Sequence, residues 1–393
     1  MMNEKLASLG TPESPIRVFT VCTGVGLVRR GIESQTFDMF KGLHGRKNLD
    51  IKLFKGQGDP DLDEYRLWNL PRTGKSAKVL GKLLRRSSYV VEQISSFLPF
   101  VQGIRKFKPH IIYYSEQSLG FQLYQWRNKI GVPYRLILNN GGPGIPPFRR
   151  THFIHQCTPF WLEQSLRNGE PANRHILVPL GIDMPKNNQI LNEEDKVKLR
   201  KHLNLPVDNT IILSVGYVSE KSHKRMDHII NEIAMLPQQR PHLVMLGHMD
   251  EDSAVIIDLA VSKLGSKGFT VRSVPYEETP KYYQCADIFA LCSLQEGFGR
   301  VYLEALMYGL PTIAHDHPNM RYVLGEEGIF VDMSKSGRLA ELFTDLLQIP
   351  KDLTAMQRRQ KYIRNRYSWD FLYTQYLDMF QYALQEPLPP FEW

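Results

Sequence analysis

The sequence predicts an α/β protein built of two doubly wound parallel sheets, and three observations predict it. Short apolar runs alternate with amphipathic helical patterns from one end to the other, the pattern of parallel strands joined by crossover helices. At 393 residues the chain is long enough for two hydrophobic cores. The alternation restarts after a polar, proline-bearing stretch at Gly181-Ile-Asp183 and Pro185-Lys-Asn-Asn188, which marks a joint.

The elements follow in order. In the first half the apolar runs Ile16–Cys22, Ile51–Phe54, His110–Tyr114, Tyr134–Leu138, Phe153–Cys157 and His175–Pro179 are expected as strands. Helical spacing fills Val28–Leu43, Lys75–Phe107 (broken near Ser87), Leu119–Ile130 and Pro159–Asn168. The second half repeats the scheme with strands at Thr210–Val215, His242–Leu246, Thr270–Val274, Ile288–Cys292, Thr312–His315 and Ile329–Val331. Its helices are expected at Met226–Leu236, Ser253–Leu264, Pro280–Gln284, Val301–Tyr308 and Arg338–Leu347. Ser368–Leu384 is aromatic and amphipathic and closes the chain as a last helix.

Composition narrows the function classes. A hydrophobic share of 42% and a charged share of 23% are those of an ordinary globular chain, and no apolar stretch reaches the length of a membrane span. Cys22, Cys157, Cys285 and Cys292 are scattered, which fits neither a disulfide framework nor a zinc site, and Met1–Pro15 lacks the apolar core of a signal peptide. A reduced, cytoplasmic setting is expected. Charge is uneven: residues 1–183 hold 26 Lys+Arg against 14 Asp+Glu, the remainder 23 against 27. Segment 72–108 has nine basic residues and one acidic, Glu92. Within it Lys75, Lys78, Lys82, Arg85 and Arg86 accompany Val79, Leu80, Leu83 and Leu84 at helical spacing. Such a helix suits peripheral contact with an anionic membrane on its inner face, or is a solvated basic face over the core. Nucleic acid has no recognised motif here, and none is assigned as a partner.

The most informative segment is Glu296-Gly-Phe-Gly-Arg-Val-Tyr-Leu-Glu304, after the strand Ile288–Cys292 and before Gly309-Leu-Pro311. A strand, a glycine turn and a helix N-terminus form an anion site, because the glycines Gly297 and Gly299 let backbone N–H groups approach it. Glu296 at the strand end and Glu304 about one turn inside the helix are better suited to hydroxyls on either side. A nucleotide sugar offers that order: ribose diol, diphosphate, sugar hydroxyls. A second strand-to-helix site is Ile211–Gly216 followed by Ser222-His-Lys-Arg-Met-Asp227, where Lys224 and Arg225 can neutralise a departing diphosphate.

The context E-G-F-G-x-x-x-x-E-A resembles the E-x7-E motif of retaining GT-B glycosyltransferases of the group 1, family 4 type. The resemblance implies two Rossmann-like domains facing across a cleft. Residues 1–183 would be the acceptor side, with 368–393 packing back on it, and 184–367 would bind the nucleotide sugar. It implies that Glu296 contacts the donor sugar, Glu304 holds the ribose, and Gly216, Gly297, Phe298, Gly299 and Arg300 line the donor. No cofactor is implied beyond the nucleotide-diphosphate sugar itself, and the acceptor would be a glycan or lipid-linked hydroxyl. Lys224 matches the family's lysine, whereas Tyr217 stands where the family has an arginine, so Arg225 or Arg300 is expected to supply that charge. Thr23-Gly24-Val-Gly26 resembles the acceptor-domain loop that closes over the diphosphate. Asn139-Asn140-Gly-Gly-Pro-Gly144 stands where many relatives carry a histidine, which leaves Asn140 as a substrate contact and His155 as the substitute imidazole.

Two other strings are set aside. Asp59-Pro-Asp61 sits in a polar loop with Asp63 and Glu64, and His315-Asp-His317 cannot converge on one ion, so no metal is assigned. Two other classes stay open: a catalytically silent sugar-nucleotide or glycan-binding module of the same fold, and a basic nucleic-acid-binding protein.

Overall fold

The computed structural model describes residues 9–28, 30–142, 144, 146–185, 188–237 and 240–388. Arg29 of the first glycine turn, Pro143 of the Asn139–Gly144 loop, Lys186-Asn187 of the joint and the two ends lie outside the described residues. The chain divides into two units, Met1–Asp183 with Tyr367–Trp393, and Met184–Arg366.

The first unit runs β1 (Ile16–Cys22), α1 (Gly31–Leu43), β2 (Leu49–Lys55), β3 (Glu64–Arg66), α2 (Lys75–Leu84), α3 (Ser88–Ser95), α4 (Phe97–Phe107), β4 (Ile111–Tyr114), α5 (Gln117–Ile130), β5 (Arg135–Asn139), β6 (Phe153–Gln156), α6 (Pro159–Arg167) and β7 (His175–Leu177). Its strands lie in the order β3-β2-β1-β4-β5-β6-β7, all parallel. The second unit runs α7 (Glu193–His202), β8 (Ile211–Val215), α8 (Met226–Ala234), β9 (His242–Leu246), α9 (Ser253–Leu264), β10 (Phe269–Arg272), α10 (Thr279–Cys285), β11 (Ile288–Ala290), α11 (Arg300–Met307), β12 (Thr312–His315), α12 (Pro318–Leu324), β13 (Gly328–Val331), α13 (Arg338–Leu346) and α14 (Leu353–Tyr367). Its sheet is β10-β9-β8-β11-β12-β13, again parallel. Both units are Rossmann-like, with strand order reversing between β1 and β4 and between β8 and β11. Ligands bind outside the strand carboxyl ends at such switch points.

The last helix, α15 (Trp369–Gln385), buries Trp369, Leu372, Tyr376, Met379, Phe380 and Leu384 against β1 and α1 of the first unit. Gly42 and Gly181 make the slot for its indole: a Cβ at Gly42 would lie 2.0 Å from Trp369 Cγ, and one at Gly181 2.6 Å from Cε2. Each such aromatic or aliphatic side chain stabilises the unit by roughly 1.5–3 kcal/mol.

Three differences from the sequence expectation have structural causes, the first two local and the third long-range. The helix expected from Val28 starts at Gly31, because Leu27 and Val28 spend their N–H groups on Gly24 in a turn. Lys75–Phe107 forms three helices: Arg85 ends α2 in the left-handed region (φ 51°), Ser87 Oγ caps α3 by accepting from Val90 N, and Ser96 opens α4. The polar helices α7 and α14 carry no clear apolar stripe. α7 is instead held by Lys196 and Arg200, which reach Asp287 at the start of β11 (Lys196 Nζ to Oδ1 2.7 Å). Burial would raise the Asp287 carboxyl, but these two cations hold it down at about 2.

His155 does not stand at a ligand surface. It is fully buried, with Nδ1 2.7 Å from Tyr113 Oη and Nε2 2.7 Å from the Val178 carbonyl oxygen, and burial pushes its pKa down to about 4. The expected role as substitute imidazole is corrected: both nitrogens are spent within the core. Its stabilising effect is whole above the unfolded pKa of about 6.5 and drains as pH falls towards 4. His155→Gln is expected to be less stable at pH 8, having lost two bonds. Between pH 6.5 and 4 its stability should fall less steeply than wild type, by one proton or about 1.4 kcal/mol per pH unit. Glu116, raised to about 7 chiefly by burial, acts in the opposite sense in both proteins and drops out of the difference. Urea midpoints across that pH range check this, and equal slopes would overturn it.

Candidate active site at the second switch point

The site is built by the loops after β8 and β11, the two strands that flank the second unit's switch point. After β8 the chain passes Gly216 and folds back through Ser222–Arg225 before α8. Gly216 is required there: a Cβ would lie 2.8 Å from Lys224 Cγ, so its absence lets the lysine stem cross the strand end. The turn is tied by Ser222 N to Ser219 O (3.1 Å), Lys224 N to Ser222 Oγ (3.3 Å) and Arg225 N to Ser222 O (3.2 Å). Arg225 caps α8 from the left-handed region (φ 52°), an uncommon conformation for a side-chain-bearing residue and one that tends to occur at functional turns. Its guanidinium donates to the Met333 carbonyl oxygen at 2.8 Å, which anchors the turn to the loop after β13.

After β11, Glu296 opens the second loop and is 8% exposed. Lys224 Nζ donates to Glu296 Oε1 at 2.6 Å, and this contact joins the two loops. Gly299 (φ 73°) is the N-cap of α11, where a side chain would be strained and would strike Tyr302 Cδ2 at 2.7 Å. Gly297 and Arg300 lie on the partly exposed side of the loop. Phe298 does not offer its ring: at 3% exposure it pins the loop to the core, leaving only its backbone for a ligand.

Glu304, inside α11 and 7% exposed, accepts a hydrogen bond from Tyr283 Oη at 2.9 Å. Burial, with Glu304 adding, raises the Tyr283 phenol well above its usual range, so it stays a neutral donor. Tyr283 in turn stacks on Tyr308, ring centroids 5.8 Å apart and 6° from parallel.

Several further side chains shape the site, of which Asn319 and His223 carried no sequence signal of their own. Asn319, at the start of α12 and fully buried, donates through Nδ2 to the Glu296 carbonyl oxygen (2.8 Å) and the Gly297 carbonyl oxygen (2.9 Å), and so sets the path of the glycine loop. His223 Nε2 lies 3.8 Å from Glu296 Oε1, with burial and Lys224 lowering its pKa. His317 Nδ1 accepts from Asn319 N (3.1 Å) and His315 Nδ1 from Met333 N (3.1 Å), so the His-Asp-His string serves the backbone. Tyr217, at the family's arginine position, donates to Asp250 and faces His248. Among the described residues no group of three or more His, Cys, Asp or Glu could hold a metal.

The first unit places its expected residues differently. Gly24 and Gly26 follow β1 in a tight turn: a Cβ at Gly24 would lie 2.3 Å from Glu33 Oε1, and one at Gly26 (φ 83°) 2.0 Å from the Gln57 carbonyl oxygen. Below the turn a buried cluster was not anticipated. Arg72 pairs with Glu92 (2.6 Å), Glu33 (3.2 Å) and Glu116 (3.6 Å), while Thr23 Oγ1 donates within this set. Asn140 is 4% exposed, its Nδ2 donating to Gln156 Oε1 (3.0 Å) and its Oδ1 accepting from Gly144 N (2.6 Å). One contact from each end of its amide braces the loop.

Chemically, the second switch point holds a cation and a carboxylate that neutralise each other across two loops, beside a glycine turn at a helix N-terminus. Separated by a ligand, the pair suits an anionic group on one side and hydroxyls on the other. The family comparison falls largely on the same unit. Residues 195–369 match the family model of glycosyl transferases group 1. The chain is similar to mannosylfructose-phosphate synthase of Agrobacterium fabrum, 24% identical over 247 residues, 60% of this chain and 51% of that protein. It is also similar to D-inositol 3-phosphate glycosyltransferase of Xylanimonas cellulosilytica, 25% identical over 222 residues, 55% and 53%. The chain thus spans about half the length of the curated relatives it matches. In three dimensions it resembles HepE of Anabaena in complex with UDP-glucose, with a TM-score of 0.72 and 16% identity over 93% of this chain and 99% of that one. That likeness identifies the fold as GT-B.

Proposed function

We propose that this protein is a retaining glycosyltransferase that moves a sugar, of hexosyl or N-acetylhexosaminyl type, from a nucleotide-diphosphate sugar to an acceptor hydroxyl. The observation that carries it is the Lys224–Glu296 contact at the β8/β11 switch point, beside the Gly297–Gly299 turn. The group 1 match over the same residues supports it, as does the UDP-glucose bound by HepE.

In this reading Lys224, with charge from Arg225 and the N–H groups of the glycine turn, stabilises the departing diphosphate without a metal. Glu296 leaves Lys224 for the sugar hydroxyls, and Glu304 accepts from the ribose while Tyr283 holds it in place. The acceptor hydroxyl attacks the anomeric carbon from the face that the diphosphate leaves, and a leaving phosphate oxygen takes its proton. The acceptor is a glycan or a lipid-linked carrier, as in glycan, glycolipid or cell-envelope polysaccharide synthesis, and 72–108 is the segment that meets an anionic membrane.

A screen of nucleotide sugars for released nucleoside diphosphate, followed by proton NMR of the product linkage, tests the reading. Release from one donor with the anomeric configuration kept is expected. An inverted anomer would overturn retention. Tight donor binding with no release or transfer to any acceptor would leave a silent sugar-nucleotide module of the same fold.

A further inference from the structure

Helix α2 rests on the first unit through its smallest side chains. Ala77 (1% exposed) and Gly81 are its buried residues, and a Cβ at Gly81 would lie 2.7 Å from the Arg86 carbonyl oxygen. With 100° between successive residues, Ala77 and Gly81 share one side, Lys75, Val79, Lys82 and Leu83 share the other, and Lys78 lies on the flank. The exposures agree: Val79 is 68% and Leu83 77% exposed, with Lys75, Lys78, Lys82, Arg85 and Arg86 exposed around them. A helix covering a core turns its large apolar residues inward, and this one turns Val79 and Leu83 out.

The segment's single acidic residue does not dilute that face. Glu92 is fully buried and pairs with Arg72, three residues before α2 begins. Arg72 is also paired with Glu33 and stacked over the Tyr89 ring at 3.8 Å, so the helix rises from a rigid root. No described helix is long and apolar enough to cross a membrane, which leaves attachment from one side.

We propose that α2 is a membrane-docking helix, inserting Val79 and Leu83 into an anionic bilayer while Lys75, Lys78, Lys82, Arg85 and Arg86 sit among its headgroups. Charge complementarity selects the partner. A polyanion such as nucleic acid would use the cations but leave the two apolar side chains in water, whereas an anionic lipid surface uses both. Each cation near such a surface is worth roughly fivefold in partitioning. A buried leucine side chain is worth about tenfold or more. This partner deepens the reading above, in which the acceptor is a glycan or lipid-linked, but its test needs no turnover, so either can fail alone.

The full chain is tested by co-sedimentation with phosphatidylcholine vesicles, with and without phosphatidylglycerol. Binding to the anionic vesicles that weakens with salt is expected. Lys75→Gln/Lys78→Gln/Lys82→Gln/Arg85→Gln should cut it by about 10³-fold. Val79→Ser/Leu83→Ser, which keeps every charge, should cut it by about tenfold or more. Leu83→Trp should shift its emission to the blue on anionic vesicles. All these positions are exposed, so unchanged melting of each variant is expected and keeps the comparison sound. Full binding by the Val79→Ser/Leu83→Ser variant, equal binding to neutral vesicles, no binding at low salt, or displacement by duplex DNA at equal charge would each overturn the proposal.

Discussion

Replacing Glu296 with Ala is expected to lower turnover by about 10²-fold or more in a protein that still folds. The carboxylate is 8% exposed and takes the ammonium of Lys224 at 2.6 Å, and in the proposed function it is the group that orients the sugar. The main effect falls on kcat, because the interaction counts most when the anomeric carbon is in reach of the acceptor. Glu304→Ala has a different profile. It removes the ribose acceptor and strands the buried Tyr283 hydroxyl, so donor binding should weaken by about 1–3 kcal/mol with a smaller change in kcat. Steady-state rates from released nucleoside diphosphate, alongside melting curves, separate the two. Near-normal rates for both variants would sink the assignment.

Lys224→Ala is the second large effect. It should cut transfer by about 10²-fold or more, and wild-type activity should survive EDTA, since in the proposed mechanism a fixed cation does the work that a divalent ion does elsewhere. Lys224→Arg keeps the charge but not the compact ammonium that fits over Gly216, where a Cβ would already crowd the stem at 2.8 Å, so partial activity is expected. Activity that vanishes on chelation and returns with Mg²⁺ would reject the metal-free mechanism and reopen Asp59-Pro-Asp61.

Much of the second unit was legible because its signals are local. Six apolar runs gave its six strands, and the Gly-x-Gly turn before Val301 marked the start of α11 within one residue. The Lys224–Glu296 meeting followed only once strand order was known, since the two residues lie 72 apart in sequence. Three of the missed elements share a cause. β3 has three residues, and α7 and α14 are polar along most of their length. They are held by contacts to distant partners, which no hydrophobic period records.

By itself the sequence determined the class of fold, the placement of most strands, and the two glycine turns whose backbone needs are local. Glu296, Lys224 and Glu304 were named from it because strand-turn-helix order puts the first two in the turns after strands and the third about one turn inside a helix. The tertiary structure alone decided which polar groups are engaged inside: His155 between Tyr113 and Val178, Asn140 between Gln156 and Gly144, three glutamates on Arg72. It also decided which face of α2 is covered. Helical period states that residues share a side, not which side meets the protein. That depends on close approach at Ala77 and Gly81, a property of two surfaces rather than of one segment.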